Sequence, residues 1–182
     1  MPRIVEDIHY DGARERVERL GLTPLLNEIR AIITGFELLV QEKADTNGGA
    51  AVRKLLDARF EESGGWTKKT SGDIDWTKCK VVNGTRVCIG VEVQVSARSD
   101  LLVVDMIHLT SAFRDGRLDA GVVIVPSDKL SRFLTDRGPC ISDAKKHAKA
   151  ARLEDSPLIL FAIEHDGPGP PLAKQLKRPS ST

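Results

Sequence analysis

Residues 72–95, with the sequence GDIDWTKCKVVNGTRVCIGVEVQV, predict a β-hairpin. Two runs of alternating polar and apolar residues flank the dipeptide Asn83-Gly84, which is the strongest short-range signal for a two-residue hairpin turn. Because side chains alternate between the two faces of a strand, the pattern also separates an apolar face from a polar one. The residues expected on the apolar, core-facing side are Ile74, Trp76, Ile89, Val91 and Val93.

The other face of the hairpin is acidic. With that turn, Asp75 lies directly across from Glu92 and Asp73 lies across from Gln94, while Gly90 leaves room above them. Directly opposite residues have Cβ atoms roughly 4.5–5.5 Å apart. Two ionised carboxylates would repel by about 4 kcal/mol at ~4 Å and an effective dielectric near 20. The arrangement therefore requires a bound cation, a protonated carboxyl group or a nearby basic side chain.

A magnesium ion is the first of these explanations. Carboxylate oxygens from two adjacent strands suit Mg²⁺, and the backbone carbonyl of Val93 could complete the site. Such an ion can activate a water that attacks phosphorus, and basic residues close to the hairpin point to a phosphodiester substrate. The alternative is an exposed polar face balanced by the same basic residues, which are Lys68, Lys69, Lys78, Lys80, Arg86 and Arg98.

The rest of the chain predicts an α/β fold. Segments of helical periodicity precede the hairpin, and helices alternate with short apolar strands after it, which indicates a mixed sheet flanked by helices. The expected helices are 14–21, 23–43, 50–65, 99–116, 127–138 and 142–154, and the expected buried strands are 118–126 and 156–165.

Length and composition bound the domain organisation. A chain of 182 residues with 41% hydrophobic residues is expected to form a single domain, over 1–166. Residues 167–182 are rich in Pro, Gly and Ser and are expected to be a flexible tail. The net charge of +1 does not by itself indicate a nucleic-acid partner, nor does it exclude one through local patches.

The cellular setting is expected to be cytoplasmic. No run of 18 apolar residues indicates a membrane span, and the N-terminus lacks the layout of a signal peptide. The cysteines are three in number, and Cys79 faces Cys88 across the hairpin. In an intracellular protein these two are interpreted as small packed thiols rather than as a disulfide or a zinc site.

The motifs DIDW (73–76) and GVEVQV (90–95), with the segments that follow them, resemble the BglII/BstYI-type restriction endonucleases of the PD-(D/E)XK nuclease superfamily. The resemblance covers nearly the whole chain, and its most specific element is Glu-x-Gln, where the superfamily usually has Glu-x-Lys. It implies a restriction-endonuclease-like core in which Asp75 is the first metal-binding acid, Glu92 the second, and Gln94 the third active-site residue. The hairpin is longer than the family spacing, so Asp73 remains a rival for the first acid.

The resemblance also implies an activity. Members of this group are Mg²⁺-dependent type II restriction endonucleases of prokaryotes, which act as homodimers on double-stranded DNA. They cut short palindromes centred on GATC and leave 5′-phosphate ends. Two alternatives stay open at this point: a repair or mobile-element nuclease with looser sequence preference, and a DNA-binding protein without catalysis.

Further residues are candidates for supporting roles. Gln94 cannot act as a base, because an amide does not titrate, but it could hydrogen-bond the attacking water. Residues near the catalytic strand could contact DNA bases or phosphates, or could belong to solvated loops and a helix cap. These candidates are Lys68, Lys69, Ser96, Arg98 and Ser99.

Overall fold

A computed structural model describes residues 1–68, 74–96, 99–135 and 138–174. The strands are β1 (Arg3–His9), β2 (Leu39–Val40), β3 (Thr67–Lys68), β4 (Trp76–Val82), β5 (Thr85–Val93), β6 (Ala120–Pro126), β7 (Leu158–Glu164) and β8 (Gly167–Pro168). The helices are α1 (Ala13–Arg19), α2 (Thr23–Thr34), α3 (Gly49–Ser63), α4 (Ser99–Arg114), α5 (Asp128–Ser131) and α6 (Ile141–Ala150), and a short 3₁₀ turn covers Leu153–Asp155.

Six of the strands form one mixed sheet in the order β1-β7-β6-β5-β4-β3. The three inner strands β5, β6 and β7 are parallel, and β1, β4 and β3 run antiparallel to their neighbours. Strands β6 and β7 are buried along their whole length, as expected for the parallel centre of a sheet with both faces covered. The predicted α/β class, with a mixed sheet flanked by helices, is confirmed.

The hairpin of β4 and β5 has the predicted register. Asn83 and Gly84 both have positive φ angles, of 50° and 79°, as a two-residue type I′ turn requires. Trp76 pairs with Val91, and Cys79 pairs with Cys88 at a Cα–Cα distance of 4.1 Å. The two cysteine sulfurs are bonded to each other, so the prediction of separate packed thiols was wrong.

Two apolar layers cover the sheet. One lies under α2 and α3 and includes Trp76, Val91 and Val93, as predicted. The other lies under α4 and α6, and it contains Ile74, which was expected on the opposite face. The chain reaches Ile74 before β4 begins, so strict alternation does not extend that far. The space expected above Gly90 is filled by Ile74, Leu109 and Leu118.

Two predicted helices are shorter in the structure, and one long strand was not predicted. The helix expected over 23–43 ends at Thr34, because Gly35 follows, and Leu39–Val40 form β2 instead. The helix expected over 127–138 is limited to the four residues of α5. Strand β1 was missed, since a bulge between Ile4 and Glu6 shifts the alternation that would have indicated a strand.

Part of the expected tail packs against the domain. β8 pairs with β2, and Leu172 packs against the first apolar layer. The buried side chain of Asn47 joins the loops here, accepting hydrogen bonds from the backbone N–H of Gln41 and of Leu172. Residues 175–182 lie outside the described residues. Within the described part of the chain, we find no helix with the length and apolar character needed to cross a membrane.

Candidate active site

The acidic pair occupies the end of the hairpin that is far from the turn. Glu92 lies on β5, directly beside the parallel strand β6, and its side chain is only 2% exposed. Asp75 immediately precedes β4, and its backbone N–H points to Glu92 Oε2 at 3.4 Å. Asp75 Oδ2 in turn accepts a hydrogen bond from the backbone N–H of Val93 at 2.8 Å. The expected juxtaposition of Asp75 and Glu92 is therefore present.

Helix α3 supplies a basic partner that the sequence analysis did not identify. Arg53 Nη2 lies 2.8 Å from Asp75 Oδ1, and Arg53 Nη1 donates to the carbonyl oxygen of Val93 at 2.7 Å. Its Nε donates to Asp57 Oδ1, one turn further along α3, at 2.9 Å. The guanidinium thus bridges two of the oxygen groups that were expected to hold a metal ion, Asp75 and the Val93 carbonyl.

Aromatic packing holds α3 in this position. Phe60 stacks on Trp76 of β4 with ring centroids 5.3 Å apart, and Trp76 Nε1 donates to Asp57 Oδ1 at 3.1 Å. Lys68 pairs with Asp57 Oδ2 at 3.1 Å and lies over the Trp76 ring. Because residues four and three apart share one face of a helix, Arg53, Asp57 and Phe60 all face the hairpin.

Helix α4 brings two more ligand-type side chains to Glu92. Asp105 and His108 are three residues apart, so they share the helix face that covers β5. One ligand atom from each of Glu92, Asp105 and His108 lies within 4.8 Å of the other two. Glu92 Oε1 is buried and has no hydrogen-bond partner among the residues that the structure describes.

The electrostatics of the site follow from burial and from crowding of like charges. Burial, together with the negative charges of Asp75 and Asp105, raises the pKa of the Glu92 carboxyl group to about 10. Burial, together with Asp75, raises the pKa of Asp105 to about 7, although Arg53 opposes the change. Burial would lower the pKa of Arg53, but Asp75 and Asp57 raise it overall.

The remaining candidate residues are placed as follows. Gln94 follows β5 and is buried, and its backbone N–H donates to the carbonyl of Ile124 on the adjacent strand at 2.8 Å. Ser96 is partly exposed just beyond that strand, and Ser99 begins α4. The candidates Asp73, Lys69 and Arg98 lie outside the described residues.

Comparison with models of protein families assigns the chain to a known family. The family model described as restriction endonuclease BglII/BglIII matches residues 9–163. The chain belongs to the BglII restriction endonuclease family. Membership implies a type II deoxyribonuclease, which is a hydrolase, and it places the acidic pair inside the matched region. A search of curated proteins gave no match.

Three residues that lie beside the acidic pair were missed by sequence reasoning. Arg53 lies on a helix 39 positions before Glu92, and Asp105 and His108 lie on a helix 13 and 16 positions after it. No local motif therefore connects these residues to the strand. A signal existed, however: Asp105 and His108 form an i, i+3 pair on the helix that directly follows the acidic strand. Arg53 and Asp57 form an i, i+4 pair on a helix whose inner face is otherwise apolar.

Proposed function

We propose that this member of the BglII family is a Mg²⁺-dependent homodimeric endonuclease that cuts both strands of a short palindromic DNA site centred on GATC, leaving 5′-phosphate ends. The observation that carries the proposal is that Asp75 and Glu92 meet at the end of the hairpin, where Arg53 links Asp75 to the Val93 carbonyl. In the same proposal, Asp75 rather than Asp73 is taken as the first acid, because Asp75 contacts Glu92 and the Val93 N–H.

The donors at this position fit a magnesium ion. Two carboxylates and one backbone carbonyl form an all-oxygen set of the kind that Mg²⁺ prefers. The site also already binds a cation, since Arg53 lies against both Asp75 and the Val93 carbonyl. A carbonyl oxygen has two lone pairs, so Val93 can retain Arg53 while acting as a ligand. When bound, the ion would supply charge stabilisation at the phosphoryl group and activation of the attacking water.

The protein's own side chains would then have distinct tasks. Asp75 and Glu92 hold the cation, while Arg53 keeps Asp75 in place through its contacts on α3. Gln94 lies two residues after Glu92 and is proposed to orient the attacking water as a hydrogen-bond partner. Because Gln94 cannot accept the proton that the attacking water releases, a phosphate oxygen of the substrate or a metal-bound water would take it.

DNA contacts are proposed at the edge of the site. Lys68 pairs with Asp57, and Arg53 links Asp57 to Asp75 of the acidic pair. The Lys68 side chain is 40% exposed, so its ammonium group can pair with a phosphate. Ser96 precedes α4 and Ser99 is its first residue. In the sequence, Lys69 follows Lys68, and Arg98 precedes Ser99. We propose that these five residues contact the DNA backbone or bases, with Arg98 the best suited to guanine.

The homodimer has a candidate surface on α4. Leu101, Val104 and Ile107 are spaced three residues apart, and each is exposed by 40% or more. A two-fold axis would place the same apolar surface of a second copy against them, and each active site would then cut one strand of a palindrome. We expect light scattering to show a dimer for the wild type and a monomer for Ile107→Lys. Leu55→Lys, at an exposed leucine of α3, is the control that should stay dimeric.

The activity is tested on a fully sequenced plasmid in Mg²⁺ and in EDTA, with the Asp75→Asn variant in parallel. Discrete fragments that require Mg²⁺ and disappear in the variant would support the proposal, and sequencing their ends would define the site and the cut. A smear that requires Mg²⁺ would replace it with the looser nuclease. Absence of cutting by folded protein with any divalent ion would contradict it.

A further inference from the structure

Glu92 has neighbours on two sides, and only one side belongs to the proposed magnesium site. On the β4 side it meets Asp75, and on the α4 side it meets Asp105 and His108. The three ligand atoms on the α4 side lie within 4.8 Å of one another, which is close enough for all three to reach one ion. None of the ion pairs of the described residues involves Asp105 or His108.

A second observation concerns the carboxyl group of Glu92 itself. Glu92 is 2% exposed, yet its Oε1 has no hydrogen-bond partner among the described residues. A buried polar atom without a partner is unfavourable, and more so when the group is charged. Arg53 does not satisfy it, since its guanidinium contacts Asp57, Asp75 and the Val93 carbonyl instead.

We propose that Glu92, Asp105 and His108 form a second cation position that takes a first-row transition-metal ion such as Mn²⁺. The inference rests on the proposed function only in that Glu92 would be shared with the magnesium site. It assigns to α4 a metal-binding role, in addition to covering the sheet.

The imidazole determines which ion is preferred. Mg²⁺ favours oxygen donors and keeps several of its waters, whereas Mn²⁺ and Zn²⁺ accept imidazole nitrogen together with carboxylates. A set of two carboxylates and one histidine therefore differs in selectivity from Asp75, Glu92 and the Val93 carbonyl. Mn²⁺ should occupy the α4 position even when Mg²⁺ is in large excess.

The test is a titration of the metal-free full chain with Mn²⁺, in excess Mg²⁺, followed by electron paramagnetic resonance. We expect one Mn²⁺ per chain with a pulsed-resonance signal from a coordinated nitrogen. In His108→Asn that nitrogen signal should vanish and the Mn²⁺ affinity should fall at least about tenfold. His147→Asn, on α6, is the matched control that should leave both unchanged.

Two further variants separate this inference from the proposed function. Asp75→Asn should abolish Mg²⁺-dependent cleavage while keeping the nitrogen signal, and Asp105→Asn should weaken Mn²⁺ binding as His108→Asn does. Equal Mn²⁺ affinity in the wild type and His108→Asn would overturn the second position. Absence of the nitrogen signal in the wild type would also overturn it, and this measurement does not depend on the folding of any variant.

Discussion

Two facing pairs of the β4–β5 hairpin share one register but have opposite chemistry. Midway along the hairpin, Cys79 and Cys88 are joined by a covalent bond. At the end far from the turn, Asp75 and Glu92 bring together two groups that repel each other when ionised. The middle of the hairpin is therefore held by the hairpin alone, whereas its acidic end depends on Arg53 from α3.

This difference shows how a sheet can position an unfavourable pair. The pairing of Trp76 with Val91 and of Cys79 with Cys88 sets the register, so Asp75 must arrive opposite Glu92. A slip of one residue would move each side chain to the other face of the sheet. The apolar contacts and the disulfide thus stabilise the geometry that the acidic end could not maintain by itself.

The largest expected effect is on catalysis by Glu92→Gln. Loss of the proposed metal-binding carboxylate should remove several kcal/mol of charge stabilisation, so cleavage should fall roughly 10³-fold. In EDTA near neutral pH the variant should be more stable than the wild type, because the folded wild type must keep on Glu92 a proton that its unfolded chain releases, and the neutral Gln avoids that cost. Cleavage rates and urea unfolding measure the two effects.

Glu62→Gln, at an exposed acid of α3, is the control for that variant. It should alter neither quantity. Cleavage by Glu92→Gln at more than a tenth of the wild-type rate would show that Glu92 does not hold the catalytic ion.

Arg53→Met should weaken the acidic end of the hairpin. Removing one partner of a largely buried ion pair leaves the other charge uncompensated, so we expect a loss of about 3 kcal/mol in the free energy of unfolding. Mg²⁺ should recover more stability in this variant than in the wild type, since the ion would replace the lost positive charge. Urea unfolding with and without Mg²⁺ tests both statements. Arg59→Met removes an exposed pair with Glu62 and should change stability by only about 0.5 kcal/mol.

Replacing both Cys79 and Cys88 with Ser should weaken the middle of the hairpin. Chain entropy for a loop of this length predicts a loss of about 2.5 kcal/mol, again measurable by urea unfolding. Because Cys79 and Cys88 lie four residues along the hairpin from Asp75 and Glu92, cleavage by the folded variant should stay close to the wild-type rate. A reducing agent should destabilise the wild type and have no effect on the double variant.

Stability in EDTA should also depend on pH. The raised pKa values mean that folded Asp105 and Glu92 retain protons which the unfolded chain releases above about pH 4. Their contribution to stability therefore falls as pH rises, up to about pH 7 for Asp105 and about pH 10 for Glu92, by at most about 1.4 kcal/mol per unit for each group. Unfolding across this range should show a shallower decline in Glu92→Gln than in the wild type. Identical slopes would refute the contribution of Glu92.

The elements that the sequence predicted well are those specified by local signals. Asn83-Gly84 determines the hairpin register, and the apolar runs of β6 and β7 predict buried strands. The errors arose where tertiary contacts decide the outcome. Leu39 and Val40 extend an apolar helical stripe in sequence, but after Gly35 they pair with β8. The sulfur–sulfur bond was missed because the expected compartment, rather than the facing geometry, guided the interpretation.

The sequence predicted only the part of the candidate site that lies on the hairpin. Asp75, Glu92 and Gln94 are close in the fold because two paired strands carry them, and pairing can be inferred from a turn. Arg53, Asp105 and His108 arrive on α3 and α4, whose positions depend on packing such as Phe60 on Trp76. Helix periodicity indicates an inner face, but it does not indicate which strand that face will cover.

The bridge that Arg53 forms has a consequence for how the protein matures and can be handled. Zinc fingers remain unfolded until their ion arrives, because nothing else balances the ligands. Here a side chain already neutralises Asp75 and binds the Val93 carbonyl, so folding does not have to wait for a metal. The protein should therefore remain folded but inactive in a chelating buffer, and a divalent ion added later would start DNA cleavage without a folding step.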